Sequence, residues 1–332
     1  MTANANLTPL IDVHAHFLTP RYVQEAQDAG NVRPDGMGGF PDWDASVHLE
    51  LMDKWGVATS LLSISSPGVH FGDHAASRAL SRHVNEAGAE IRRQNPDRFG
   101  HFASLPLPDV DGALAELEYA MDQLGSDGVT FETNANGMYL GSPRLVPLLE
   151  ELNRRRTPVF VHPTSPPNQA QVALGRPRPM LEFIFDSTRT VSDLVFSGHL
   201  TKYPDIPWVF THGGGALPLL TDRMELFRSV FAGDSDPTGT APPVGPVPDQ
   251  VRRLWFDMAG TPFPHQVPAL TTAFGSQRLL YGSDYCFTPA VGTEAQIASI
   301  DAAPQPDGDT WRALTTRNAR RLFPRLKATP PT

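Results

Sequence analysis

Apolar residues recur along the chain with two different spacings, which predict two kinds of element. Short runs rich in β-branched and aromatic residues indicate buried strands, and they alternate with stretches in which apolar residues recur every three or four positions, as in helices. The eight strand-like runs are Leu10–Phe17, Ala58–Ser63, Phe99–Leu105, Gly128–Thr133, Pro158–His162, Trp208–His212, Leu254–Met258 and Leu279–Ser283. The predicted helices are Ser46–Trp55, Ala113–Leu124, Leu145–Leu152, Leu217–Phe227 and Pro268–Phe274. This alternation is typical of a parallel sheet with helices packed outside it.

The number of alternations favours a closed barrel over an open sheet. Eight strands with intervening helices predict an α/β fold of the (β/α)8 or TIM-barrel type, because a doubly wound sheet would be long at this count. We predict one domain over residues 1–332. Two connections exceed the usual length of about 2 to 6 residues. Phe17–Asp44 predicts a lid or small insertion at about residues 18–44 after the first strand, and Gly233–Asp249 predicts an irregular surface loop.

Composition and charge exclude several classes of protein. The net charge of -9 argues against nucleic-acid binding, because the basic runs Arg154–Arg156 and Arg317–Arg321 have the pattern of helix surfaces. No apolar run approaches the roughly 20 residues of a membrane span, and Met1–Pro9 lacks the pattern of a signal peptide. The single cysteine, Cys286, cannot form an internal disulfide. We therefore expect a cytoplasmic protein without a nucleic-acid or membrane partner.

Candidate chemistry gathers at the predicted strand ends. His14 and His16 lie two positions apart at the end of the first strand, so the strand period places both imidazoles on one face. His162 and His212 end the fifth and sixth strands, and Asp284 follows the eighth. Barrel active sites form at these ends, and imidazoles with a carboxylate are ligands of divalent metals. The alternative, in which each histidine is a hydrogen-bonded core residue, requires coincidence at every one of these ends.

Other polar residues receive structural interpretations. Glu132, at the end of the fourth strand, is interpreted as a hydrogen-bond partner and not as a ligand, and Asp12 as a residue that orients a neighbour. The remaining histidines fall on helices, loops or strand starts; they are His48, His70, His74, His83, His101, His199 and His265. The only lysines are Lys54, Lys202 and Lys327, on or next to helices, which disfavours Schiff-base chemistry. The chain has no P-loop, no complete dinucleotide fingerprint and no serine-hydrolase elbow.

Four dispersed motifs together resemble those of a known family. They are DVHAH at 12–16, VHP at 161–163, YPD at 203–205 leading to THGGG at 211–215, and GSDY at 282–285. In this order they resemble the amidohydrolase-type, metal-dependent decarboxylases, a group that includes the aminocarboxymuconate semialdehyde, resorcylate, 5-carboxyvanillate and 6-methylsalicylate decarboxylases. The resemblance extends from about residue 10 to residue 325, and such a set is more specific than any single motif.

The resemblance implies a metal site and a shared active site. It implies that zinc, or sometimes manganese, is held by four ligands: His14, His16, His162 and Asp284. It assigns His212 a catalytic role without metal ligation. An arginine eleven positions after that histidine, here Arg223, is implied to reach the substrate carboxylate in a neighbouring subunit, which implies a homodimer.

One departure from the family pattern bears on the substrate. The aminocarboxymuconate enzyme has an arginine shortly before a Trp-Asp pair, which is here Trp43-Asp44, but Asp35–Asp42 contains none and Arg33 is the nearest. Loss of a cation favours a substrate with one carboxylate, and the FETNANG sequence at 131–137 is similar to the 6-methylsalicylate branch. We therefore predict a carboxy-lyase that decarboxylates a small aromatic acid such as 6-methylsalicylate without an oxidant.

The predicted chemistry requires protonation of the ring carbon before CO2 leaves. A metal that binds the carboxylate and ortho-hydroxyl oxygens would orient the ring. Asp284 or a metal-bound water is the expected proton source, with His212 placed to orient or relay it. Two alternatives remain open at this point. One is a metal-dependent hydrolase of a lactone or amide on the same barrel, and the other is a non-catalytic metal-stabilised binding protein.

Overall fold

The predicted barrel is confirmed by a computed structural model that describes residues 7–231 and 244–326. Eight parallel strands form one sheet in chain order. They are β1 (Leu10–His16), β2 (Val57–Ser63), β3 (Phe99–Ser104), β4 (Gly128–Glu132), β5 (Val159–His162), β6 (Trp208–Phe210), β7 (Trp255–Asp257) and β8 (Leu279–Leu280). The backbone N–H of Val13 donates to the carbonyl of Tyr281 at 2.9 Å, which joins the first strand to the last and closes the sheet.

Ten helices of eight or more residues surround the barrel in the described ranges. They are α1 (Pro20–Asp28), α2 (Ala45–Trp55), α3 (His74–Gln94), α4 (Val110–Tyr119), α5 (Val146–Arg155), α6 (Glu182–Phe196), α7 (Leu217–Val230), α8 (Val267–Phe274), α9 (Ala290–Ala302) and α10 (Trp311–Leu322). The shorter helices are Gln169–Val172, His199–Lys202 and Val247–Val251. All five predicted helices are present with shifted ends. The other five, α1, α3, α6, α9 and α10, were not predicted. In α3, the longest of them, the buried face includes the small or polar residues Ser77, Ser81 and Gly88, which weaken the apolar period.

Two predicted strands end two or more residues earlier than the sequence pattern suggested. The sixth ends at Phe210 and not at His212, and the eighth ends at Leu280 and not at Ser283. At the barrel mouth, His212 has φ 50° and Asp284 has φ 59°. Neither value is compatible with an extended strand, so both side chains project from turns that follow their strands.

The core consists of two apolar clusters. The larger lies between the sheet and the helices, and the smaller joins side chains of strands that are not neighbours. The rings of Phe102 on β3 and Phe160 on β5 stack with centroids 5.0 Å apart, and Phe323 approaches Phe102 at 5.7 Å. Because β3 and β5 are separated by β4, these rings meet inside the barrel. The interior is therefore packed below the strand ends, as the fold requires.

The segment between β1 and α2, for which the sequence predicts a lid or insertion, contains α1 and a single turn of 3-10 helix at Pro34–Gly36. The predicted loop Gly233–Asp249 falls largely on residues 232–243, which lie outside the described residues, as does Lys327. No helix in the described ranges is long and apolar enough to span a bilayer.

Candidate metal centre

Three histidines and one aspartate bring their ligand atoms to a common point at the barrel mouth. One ring nitrogen each from His14, His16 and His162 and one carboxylate oxygen of Asp284 lie within 4.8 Å of one another. Nε2 of His14 lies 3.1 Å from Nε2 of His16. Oδ1 of Asp284 lies 3.1 Å from Nε2 of His16 and 3.4 Å from Nε2 of His14. The structure thus brings together the four side chains that the sequence grouped as ligands.

The second nitrogen of each ring is held from behind by a hydrogen bond. In each case the acceptor is an oxygen: Asp257 Oδ2 for His14 at 2.8 Å, the Ser63 carbonyl for His16 at 3.3 Å, and the Pro163 carbonyl for His162 at 2.7 Å. Because these oxygens accept, each Nδ1 carries the hydrogen and Nε2 is left to face the common point. This arrangement, in which an outer partner fixes ring orientation, is the one that metal-ligating histidines adopt.

The electrostatics of the cluster suit a cation. Burial lowers the pKa of His14, but the Asp257 and Asp284 carboxylates outweigh it and raise the pKa to about 10. Burial lowers the pKa of His16, which is therefore neutral at pH 7. The negative potential of these two carboxylates, which retains a proton on His14, would equally stabilise a divalent cation. Such a cation would displace the proton, because a ligating imidazole must be neutral. The donor set of three imidazoles and one carboxylate fits zinc or manganese.

His212 lies beside the cluster without joining it. Its ring centroid is 5.1 Å from that of His14 and 6.0 Å from that of His162. Its backbone N–H donates to Oδ1 of Asp257 at 2.9 Å, and three glycines with positive φ follow it. Burial lowers the pKa of His212, which favours a neutral ring at pH 7. The turn therefore places beside the cluster an imidazole that is not one of the four candidate ligands.

A cavity of about 490 Å³ opens onto these groups. His162, His212 and Asp284 lie on its polar side, and its apolar walls include Met37, Met180, Phe183 and Phe287. Among the described residues, no lysine or arginine lines it. The volume is that of a site for a small molecule, and the apolar walls suit an aromatic ring.

Comparison with known proteins decides the family. The family described as amidohydrolase matches residues 11–325, nearly the whole chain. The chain belongs to the amidohydrolase family. It is 35% identical over 328 residues to the 6-methylsalicylic acid decarboxylase of Aspergillus aculeatus, with 96% of each chain covered. Among solved structures, one described as amidohydrolase II superposes with a TM-score of 0.87 at 32% identity, covering 95% of this chain and 99% of that one.

A more distant structure shares the fold. A dihydroxybenzoic acid decarboxylase from Polaromonas, solved with bound manganese and the inhibitor 2-nitroresorcinol, superposes with a TM-score of 0.80 at 22% identity over 97% of this chain and 98% of that one. The decarboxylases among the relatives confirm the predicted class of carboxy-lyase and favour it over the hydrolase alternative.

The sequence interpretation of this amidohydrolase missed Asp257. Its Oδ2 holds His14, and its Oδ1 accepts the backbone N–H groups of His212 and Ala259, both at 2.9 Å. One carboxylate therefore connects a candidate ligand with the turn that carries the candidate catalytic histidine. The available signal was a charged residue at the end of the apolar strand β7, the position that carries function in this fold.

The two acids interpreted as supporting residues differ in outcome. Asp12 orients its neighbours as predicted, since it accepts from Ser283 Oγ at 2.6 Å and from the backbone N–H of His14 at 3.1 Å. Glu132 does not hydrogen-bond to His162: Oε2 lies 3.8 Å from Nδ1, which bonds to Pro163 instead. Burial and the nearby Asp35 raise the pKa of Glu132 well above its usual value.

Neither of the two arginines considered for substrate binding lines the metal cavity of the amidohydrolase. Arg33 donates from Nε to the carbonyl of Met37 at 3.2 Å within the insertion. Arg223 is exposed in the middle of α7, with its guanidinium carbon 5.3 Å from the ring centroid of Phe227. Its position excludes a contact inside the cavity of its own chain and leaves a contact with a neighbouring subunit open.

Proposed function

We propose that this amidohydrolase decarboxylates a salicylate-type aromatic acid, with 6-methylsalicylate as the first candidate, in a metal-dependent reaction without an oxidant. The observation that carries the proposal is the convergence of His14, His16, His162 and Asp284 on one point in the wall of a largely apolar cavity. The absence of a lining lysine or arginine among the described residues supports a substrate with a single carboxylate. The 6-methylsalicylic acid decarboxylase relative supports the same choice.

His14, His16, His162 and Asp284 hold the metal in this proposal. Zinc is favoured because imidazole-rich sets with one carboxylate suit it, and manganese is the alternative that the dihydroxybenzoic acid decarboxylase supports. The bound cation supplies a Lewis acid and a fixed positive charge for the substrate's carboxylate and ortho-hydroxyl oxygens. Cytoplasmic location is part of the proposal, supported by the single cysteine, Cys286, which is buried and free.

The chain's own residues position the ring and supply the proton. Phe183 and Phe287 line the cavity and would contact the faces and edge of the ring, excluding water from it. Asp284 and His212 both line the same cavity, so either can hold the proton that is delivered to the ring carbon. Protonation of that carbon lets the C–C electron pair return to the ring as CO2 leaves, and the aryl anion is avoided.

The working unit proposed is a homodimer in which Arg223 contacts the partner's substrate. An apolar groove of about 820 Å³ between α6 and α7 supports self-association, since Phe185, Phe196, Leu220 and Met224 line it next to Arg223. The ring of Phe185 is 42% exposed to solvent in the single chain. Contact with a second subunit would bury this apolar surface. A guanidinium fork matches the two oxygens of a carboxylate.

The test is product analysis with purified, metal-loaded protein. Incubation with 6-methylsalicylate should release one CO2 per 3-methylphenol formed, and 2,6-dihydroxybenzoate is the second substrate to try. The matched control is 2-methylbenzoate, which lacks the ortho-hydroxyl and should not turn over. Absence of CO2 release from all ortho-hydroxybenzoates, together with hydrolysis of a lactone, would contradict the proposal.

A further inference from the structure

Three arginines gather around a groove at the end of the barrel opposite to the metal centre. The groove has a volume of about 330 Å³ and is lined by Arg253, Arg278 and Arg321 together with Trp255. Trp255 is the first residue of β7, and Arg278 directly precedes β8. The candidate metal ligands follow or end their strands, so this arginine groove is separate from the metal cavity.

Within the described residues, the arginine groove provides positive charge without a pairing carboxylate. The guanidinium carbons of Arg278 and Arg321 lie 5.0 and 4.9 Å from the ring centroid of Trp255. Arg253 donates to the carbonyl of Pro204 at 3.0 Å, and Arg321 donates to the carbonyl of Gln277. The acid that lines the groove, Asp205, lies 4.0 Å from Arg156 and forms no ion pair with the three.

This concentration of charge is unusual for the chain. The net charge is -9, and other arginines such as Arg78, Arg312 and Arg325 pair with carboxylates. Burial lowers the pKa of Arg278, and the positive charges of Arg321 and Arg253 lower it further. Because a guanidinium stays charged in proteins, the three groups repel one another unless an anion is present.

We propose that the arginine groove binds a phosphate group, either free or on a small phosphorylated metabolite. Guanidinium forks match phosphate oxygens with paired N–H donors, and the side chain of Arg278 makes no hydrogen bond among the described residues. A single carboxylate would neutralise only one of the three charges, whereas a phosphate dianion neutralises two. The volume of the groove is at the lower end of the range for small-molecule sites.

The test is isothermal titration calorimetry of metal-loaded protein with inorganic phosphate at constant ionic strength. Saturable binding with a dissociation constant of about 1 mM or below is expected. Arg278→Gln and Arg321→Gln should each weaken binding about tenfold or more, because each removes charge-assisted hydrogen bonds. Arg320→Gln is the matched control, since Arg320 is exposed on the same helix as Arg321 but does not line the groove.

Two further measurements make the result decisive. Titration with adenosine monophosphate distinguishes the sources: tighter binding than phosphate supports a phosphorylated metabolite, and weaker binding supports the free anion. Turnover at the metal centre should be unchanged in Arg278→Gln. If that variant fails to fold, Arg253→Gln provides the same test from an exposed position. No saturable binding of phosphate, or equal binding in Arg278→Gln and wild type, would overturn the proposal.

Discussion

Oδ2 of Asp257 lies 2.8 Å from Nδ1 of His14, on the side of the ring opposite to Nε2, which faces His16 and Asp284. Asp257→Asn should weaken metal binding about 10 to 100-fold, the usual effect of losing an outer partner of a ligating histidine. The physical reason is that both carboxylate oxygens accept hydrogen bonds. Either orientation of the asparagine amide then places an N–H₂ group against a donor.

The measurement for Asp257→Asn is competition for the metal with a chelator of known affinity. Asp249→Asn is a matched control, because that aspartate is 72% exposed and does not line the metal cavity. Circular dichroism at the same time shows whether the barrel remains folded. Unchanged metal affinity in folded Asp257→Asn would mean that His14 does not depend on this contact, and would place His14 in doubt as a ligand.

The second prediction concerns the ligands themselves. His162→Ala and Asp284→Gly should lose metal and activity together, with metal content falling well below one equivalent. Glycine is chosen at 284 because it tolerates the positive φ of 59° there and has no side-chain oxygen that could still bind the metal. Elemental analysis of the purified variants provides the measurement, with His265→Ala, at an exposed position, as the control. Full retention of metal in either variant would show that the residue is not a ligand.

Much of this site could be predicted because strand order determines which residues meet. The H-x-H pair, His162 and Asp284 lie at strand ends, and a closed parallel barrel brings such ends to one rim. Asp257 could not be assigned in the same way, because its role depends on a contact across 243 residues that no local pattern contains. The early end of β6 was missed because the positive φ of His212 is not visible in an apolar pattern.

The third prediction is that His212 can be replaced without loss of the metal. His212→Ala should lower kcat by roughly 10² to 10⁴-fold while metal content stays at wild-type level, as expected for a positioned acid or base. Because φ is 50° at this position, His212→Asn is a second variant with less backbone strain. Parallel measurement of kcat and metal content separates the two roles. A folded variant that had lost its metal would move His212 into the ligand set.

The fourth prediction concerns stability at low pH and His101, far from the metal. Burial lowers the pKa of His101 to about 4, below its ordinary value of 6.5, although Asp127 opposes this shift. Between about pH 6.5 and pH 4, His101 therefore binds a proton in the unfolded chain but not in the folded chain. The contribution of His101 to the free energy of unfolding is complete above pH 6.5 and is lost as the pH falls toward 4. The loss amounts to about 3 kcal/mol in total.

Urea unfolding across that pH range tests the role of His101. His101→Gln should reduce the free energy of unfolding at neutral pH, because the bond between Nε2 and Ser126 Oγ at 2.9 Å is altered. The variant should also show a smaller loss of stability between about pH 7 and about pH 4 than wild type. His265→Gln should keep the wild-type slope. Equal slopes in wild type and His101→Gln would contradict the assignment.

The last prediction is that Arg223 acts on the active site of the partner subunit. Arg223→Ala and His212→Ala should each be nearly inactive alone. When equal amounts exchange subunits, half of the dimers combine one chain of each kind, and one of their two sites then has both residues. Activity should rise to about a quarter of the wild-type level.

Mixing Arg223→Ala with the double variant Arg223→Ala/His212→Ala is the matched control, because no chain then supplies the arginine. A fully active monomer, or no gain in activity once mixed dimers are demonstrated, would refute the shared site. The metal assignment would stand in either case, because Arg223 does not line the metal cavity of its own chain.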